Sequence, residues 1–263
     1  MLNHKIYNLF LENCIFISYA PGAMGHAFTR TLYAHDKIFY WNSVLSPWNQ
    51  WDNKCKTPLD WPDQTELNDI HINYNKEGIV NLKSTIPFSM GSFFGNEDTK
   101  RDISYENMKK DFIKNCVKPL VGDFLKSGKK LIIPTHETVD NILINCPNNI
   151  IINLYANYDI MKKENRLGRN VLKYKESYWK KINHTNVINI SKNKYFSKNF
   201  NIFKREYEEV LRKLNIGQYK INAVRAFLLR YLERLEQYSE IDRQIALEAG
   251  IWDSKNVLSR KGT

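Results

Sequence analysis

The sequence predicts an α/β fold: a mostly parallel central sheet in three layers, followed by a C-terminal helical segment. Two observations carry the sheet. Leu131-Ile132-Ile133 and Ile150 to Tyr155 are short hydrophobic runs separated by a helical stretch, a βαβ signature, and the second run is apolar on both faces, as a parallel sheet interior requires. Earlier, Cys14 to Leu32 reads as a buried strand, a glycine turn and an amphipathic helix. The third observation is size. At 263 residues, 43% of them hydrophobic, the chain can bury a sizeable core, divided as an α/β domain over 1–216 and a helical segment over 217–263 packed on it.

In the first unit, Ile15, Phe16, Ile17 and Tyr19 favour a strand. Pro21 fixes its own φ, while Gly22 and Gly25 allow a tight turn and close backbone approach to a ligand. Phe28 and Leu32 then share a helical face with Tyr33, and Arg30 lies on another. The amides of Gly22, Ala23, Met24, Gly25 and His26, with a helix starting near Ala27, form a candidate anion site; the alternative is a plain strand-to-helix turn with no ligand. GAMG is neither GxxxxGK[ST] nor GxGxxG, so a nucleoside triphosphate site is not indicated.

Residues 34–75 are irregular, with Trp41, Trp48, Trp51 and Trp61 among prolines, either a substrate-facing lid or rings packed on the surface. A short strand or turn near Ile79 to Leu82 and a loop around Gly91 and Gly95 follow. A helix is expected from Ser104 to Lys126, with Met108, Phe112, Cys116, Leu120 and Phe124 on one face and Ser127-Gly128 ending it. After Leu131 to Ile133, Pro134-Thr135-His136-Glu137 leads into a short helix with Val139, Ile142 and Leu143. Beyond the Ile150 to Tyr155 strand, Asn186 to Ile190 is the last strand expected. Phe203 to Leu214 is a helix broken by Gly217, and Ile221 to Ala249 is the longest periodic helix. Its stripe of Val224, Phe227, Leu228, Tyr231, Leu235 and Tyr238 packs on its own domain or forms a dimer seam or docking face.

Composition narrows the function classes. No apolar run approaches the roughly 20 residues of a membrane helix, and the opening lacks a basic n-region, so a cytoplasmic protein is expected. Cys14, Cys55, Cys116 and Cys146 show no metal-like spacing, so neither a disulfide nor a metal site is expected. The net charge of +11 is concentrated from Ile160 to Asn215, where fifteen Lys/Arg face five Glu. That suits an anionic partner or reflects a solvated lysine face. Nucleic-acid binding is expected to be weak and non-specific at most, because no reading helix or stacking platform accompanies the charge.

Three stretches, in order, resemble the P-loop sulfotransferases, which move a sulfuryl group from 3′-phosphoadenosine 5′-phosphosulfate (PAPS) to a hydroxyl or amine. Ser18 to His26 is similar to the 5′-phosphosulfate loop, Leu131 to His136 to the strand ending in the catalytic Thr-His, and Asn148 to Asp159 to the strand and turn that open the 3′-phosphate site. The resemblance covers roughly Ile15 to Lys163. It implies a P-loop type sheet, PAPS held by Gly22, Ala23, Met24, Gly25, His26 and Lys163, and His136 as the general base toward a small-molecule or glycan acceptor, with no metal. Departures fall on charged positions. Pro21 or Gly22 stands where the family has its loop lysine, Pro134 where a second lysine is common, and Tyr155 where the 3′-phosphate arginine falls. Arg260-Lys261-Gly262 matches the family's C-terminal triplet, at the chain end. The alternative role for His136 is a cap of the short helix, which Thr135 could equally supply. The alternative for the whole chain is an inactive relative of the fold acting as a structural or binding protein, for example in a virion or other assembly.

Overall fold

The computed structural model describes residues 8–20, 23–39, 59, 110, 118–159, 178–217 and 220–233. Pro21, Gly22, Lys163, the four tryptophans of 34–75, the 79–82 strand, the Gly91 and Gly95 loop and the helix beyond 233 lie outside them, as does the Ser104 helix before 118 apart from residue 110.

In chain order the elements are α1 (8–12), β1 (Cys14–Tyr19), α2 (Gly25–Tyr33), α3 (Lys118–Ser127), β2 (Leu131–Thr135), α4 (Val139–Asn145), β3 (Ile151–Tyr155), β4 (Val187–Ser191), α5 (Lys192–Tyr195), α6 (Phe200–Lys213) and α7 (221–233). The four described strands form one all-parallel sheet in the order β2-β1-β3-β4, so an α/β architecture is present as expected. Their composition explains the pairing. Ile15, Phe16, Ile17, Ile132, Ile133, Ile151 and Ile152 are all buried, because helices cover both faces of a parallel sheet. Pro134 is tolerated since β2 is the terminal strand of the described sheet, where a missing N–H need not break a ladder.

Each face has its own core. Ile15, Ile17, Ile152, Leu154, Ile188 and Ile190 meet Phe28 and Leu32 of α2, Phe203, Tyr207 and Val210 of α6, and Val224, Phe227 and Leu228 of α7. The opposite face joins Cys14, Phe16, Leu131, Ile133, Ile151 and Val187 to Phe10 and Leu11 of α1, Phe124 of α3, and Val139 and Ile142 of α4. The described part of the C-terminal stripe therefore packs on its own core. It is fastened there by the Arg30 guanidinium 5.1 Å from the Phe227 ring centre and by Arg225 donating to the Ser197 and Lys198 carbonyls.

Helix ends follow local chemistry, with some differences from expectation. Ser127 ends α3 with Gly128 at φ 63°, as Ser127-Gly128 predicts. Helix α6 begins three residues earlier than Phe203 because the Asn199 side chain accepts from the Asn201 and Ile202 amides. It stops before Gly217: Asn215 takes φ 54°, and the Ile216 amide returns to the Leu211 carbonyl at 2.9 Å, closing the helix in the left-handed manner usually given to glycine.

Candidate functional site

The β1-to-β2 connection runs to one side of β1 and the chain then crosses to β3 and β4 on the other, so the sheet order reverses between β1 and β3. Open α/β sheets place ligands at the carboxyl ends of strands at such a reversal. Tyr19 and Ala20 close β1, His136 follows β2, and Ala156 follows β3, so parts of all three sequence-predicted stretches stand side by side.

The start of α2 differs in detail from the expected glycine loop. The helix begins at Gly25 and not Ala27, and the residue with positive φ is Met24, at 61°. A Cβ on Gly25 would overlap the Tyr19 ring, so aromatic packing by itself requires glycine there. The Ala23 amide is bonded to the Ala20 carbonyl at 2.9 Å, and the first helical bond joins the Phe28 amide to the Met24 carbonyl at 3.0 Å. Met24 supplies no side-chain cap, and the first turn contains no acidic residue. The amides of Gly25, His26 and Ala27 precede that first bond, leaving the positive end of the helix dipole without a side-chain acceptor from its cap. The His26 side chain lies outside the described residues.

His136 packs edge-on against Tyr19, with ring centres 4.5 Å apart, and its Nδ1 donates to the Tyr19 carbonyl at 3.0 Å. That bond selects the Nδ1–H tautomer and leaves the lone pair on Nε2. Burial pushes the imidazole down to about 4, against a smaller upward pull from the Tyr19 carbonyl, so the ring is neutral at pH 7. The Tyr19 phenol is pushed well above its ordinary range by burial and by the nearby Tyr231 and Tyr178 phenols. Capping of α4 falls to neither His136 nor Thr135. Thr138 does it, accepting from the Asn141 amide at 3.2 Å.

A group of residues that sequence reasoning missed underlies the site. Thr135, Ser18, Asn153 and Asn189 are partners across β2, β1, β3 and β4, a polar row through four strands. Ser18 Oγ donates to the Glu137 carbonyl at 2.7 Å, and Thr135 Oγ1 accepts from the Glu137 amide at 3.1 Å. Asn153 Nδ2 donates to the Lys180 carbonyl and to Asn189 Oδ1, both at 2.9 Å. Asn189 in turn accepts from the Ile182 amide and donates to the Ile182 carbonyl, each at 2.8 Å. The signal was a polar residue within or just after each of the four hydrophobic runs, but the register that aligns them appears only in the fold. Beside the row, Tyr158 and Trp179 pack edge-on at 5.3 Å.

Elsewhere the positive segment is partly neutralised. Lys204 pairs with Glu208 at 3.7 Å, Lys194 with Glu206 at 3.8 Å, and Arg212 and Lys213 both reach Glu209, whose carboxyl they hold below its usual value. His35 is buried with Nε2 2.6 Å from the Tyr207 hydroxyl, joining the end of α2 to α6. His184 Nδ1 accepts from the Asn186 amide at 3.1 Å, a local turn bond. Among the described residues no cluster of three or more His, Cys, Asp or Glu could hold a metal, and no helix is long and apolar enough to cross a membrane. No family model matches the chain, and no curated protein or solved structure matches it.

Proposed function

We propose that this chain is a cytoplasmic, sulfotransferase-like enzyme on a P-loop type sheet, in which the start of α2 holds an anionic donor and His136 takes a proton from an acceptor hydroxyl or amine. The observation that carries the reading is the His136 Nδ1 to Tyr19 carbonyl bond of 3.0 Å at the carboxyl edge of the sheet. It commits one imidazole nitrogen to the backbone and frees the other for proton transfer. The uncapped start of α2 suits a sulfate or phosphate, with Gly22, Ala23, Met24, Gly25 and His26 along the chain there and Lys163 as the cation after β3. PAPS would supply the sulfuryl group.

Within this reading the neutral His136 is a weak base alone. An anion bound near it favours the imidazolium and raises its basicity, so donor binding itself prepares the base. As the acceptor oxygen bonds to sulfur, its proton passes to His136 Nε2, and the amides at the α2 start steady the charge on the departing phosphate.

Adenosine 3′,5′-bisphosphate and inorganic sulfate, titrated separately against thermal unfolding, test the binding half. Ligand at about 100 times its Kd adds roughly 2.7 kcal/mol, and bisphosphate should also raise the His136 titration midpoint seen by NMR. With an acceptor in hand, His136→Ala lowers turnover about 10²- to 10⁴-fold and leaves bisphosphate affinity unchanged. No stabilisation by either ligand at millimolar concentration would end the proposal.

A second reading, an inactive relative of the fold serving as a binding or structural protein, is favoured by the Tyr19 ring occupying the space beside Gly25. It predicts bisphosphate binding without turnover, or neither.

A further inference from the structure

Two backbone segments flank the carboxyl edge, 136–138 after β2 and 178–182 before β4. Both are pinned to the same polar row. Ser18 and Thr135 hold the Glu137 carbonyl and amide, while Asn153 holds the Lys180 carbonyl and Asn189 grips both polar groups of the Ile182 backbone. Tyr178 joins the two segments. Its carbonyl accepts from the Ala156 amide at 3.1 Å, and its hydroxyl donates to the His136 carbonyl.

We propose that Tyr178 is a positioning residue for His136: its hydroxyl, on a loop anchored by Asn153 and Asn189, holds the His136 backbone where the imidazole Nδ1 meets the Tyr19 carbonyl. The inference rests on the reading of His136 as the base, but it concerns the orientation of the ring and not the donor. Three asparagine bonds to 180–182 fix the loop to β3 and β4, and one phenol bond to residue 136 ties it to the end of β2. With Tyr178 in place, one tautomer is populated and the Nε2 lone pair is available. Without it, residue 136 can turn, the Nδ1 bond is lost part of the time, and the proton can move to Nε2, where it blocks proton acceptance.

The test needs no substrate. Protein labelled with ¹⁵N-histidine gives long-range ¹H–¹⁵N spectra in which each of the six histidines reports its tautomer, His136 being assigned by its loss in His136→Gln. The full chain should show one Nδ1–H tautomer for His136. Tyr178→Phe, which removes only the hydroxyl, should bring up a second, Nε2–H tautomer and speed ring N–H exchange by about three- to tenfold, the equivalent of one hydrogen bond. Asn189→Asp keeps an acceptor for the Ile182 amide and removes the donor to its carbonyl, so it should shift the same signal in the same direction by less. The Asn189→Asp spectrum decides the matter if Tyr178→Phe does not fold. A His136 spectrum unchanged in every variant that folds would overturn the proposal and leave Tyr178 a packing residue. Loss of bisphosphate binding with this tautomer response intact would refute the donor reading alone.

Discussion

The two faces of the sheet use the same strands differently. On the face covered by α2, α6 and α7, apolar side chains run the whole strand length: Ile15, Ile17 and Tyr19 in β1, Ile152 and Leu154 in β3, Ile188 and Ile190 in β4. On the face covered by α1, α3 and α4 the core stops early. Phe16 gives way to Ser18, Ile133 to Thr135, Ile151 to Asn153 and Val187 to Asn189, all at one register level. A buried polar row costs free energy where its groups are not bonded, and among the described residues all but Asn153 Oδ1 are bonded, mostly to fasten loops. The first face supplies burial; the carboxyl half of the second supplies placement.

The sharpest contrast comes from removing one side chain from each. Phe28 is fully buried on the continuous face, edge-on to Tyr195 at 4.6 Å. Phe28→Ala should cost about 3–5 kcal/mol of unfolding free energy, from lost burial plus the cavity. Ser18→Ala, at the polar row, removes one hydroxyl and leaves the Glu137 carbonyl without that donor, a loss of about 1–3 kcal/mol. Urea unfolding with unchanged m-values measures both, and an equal cost at the two positions would erase the distinction between the faces.

Much of this was readable from the chain, because hydrophobic run length and turn residues report burial directly. All four described strands fall where the sequence places them, within two residues at each end, and the βαβ order follows from Leu131 to Ile133, Val139 to Leu143 and Ile150 to Tyr155. Single polar residues were not readable. Ser18, Asn153 and Asn189 each pass for a local imperfection in a strand until register aligns them. Short-range capping by Thr138 and Asn199 was legible in principle, each being a Thr or Asn just before an apolar-periodic run. The Tyr19 ring over Gly25 was hidden for another reason: a glycine required by an aromatic neighbour and one required by a ligand look alike in sequence.

The second effect in size is linked to pH and belongs to the junction between the faces. His136 titrates near 4 in the folded protein, below the ordinary value of 6.5. Between those values the unfolded chain binds a proton that the native state refuses, so this contribution to stability is full above pH 6.5 and falls as pH drops toward 4. The slope from this one group is about 1.4 kcal/mol per pH unit across that window. His136→Gln should flatten the corresponding part of the wild-type stability profile. A wild-type profile already flat from pH 6.5 to 4.5 would mean that His136 is open to water, and the site would lose the partial burial that gives a bound anion leverage over the imidazole.

The smallest effect separates helix capping from site geometry within three consecutive residues. Thr138 accepts from the Asn141 amide at 3.2 Å, whereas His136 is held from the other side by Tyr19 and Tyr178, with Glu137 between them bonded to Ser18 and Thr135. Thr138→Ala should therefore cost about 1 kcal/mol, Thr138→Ser much less, and Thr138→Gly only a few tenths. None of the three should alter the His136 tautomer, because Ser18 and Thr135 hold the Glu137 backbone independently of the Thr138 cap. If Thr138→Ala instead moved the His136 signal, the cap and the imidazole would be coupled through the backbone, and the polar row could not be the anchor that sets the loop.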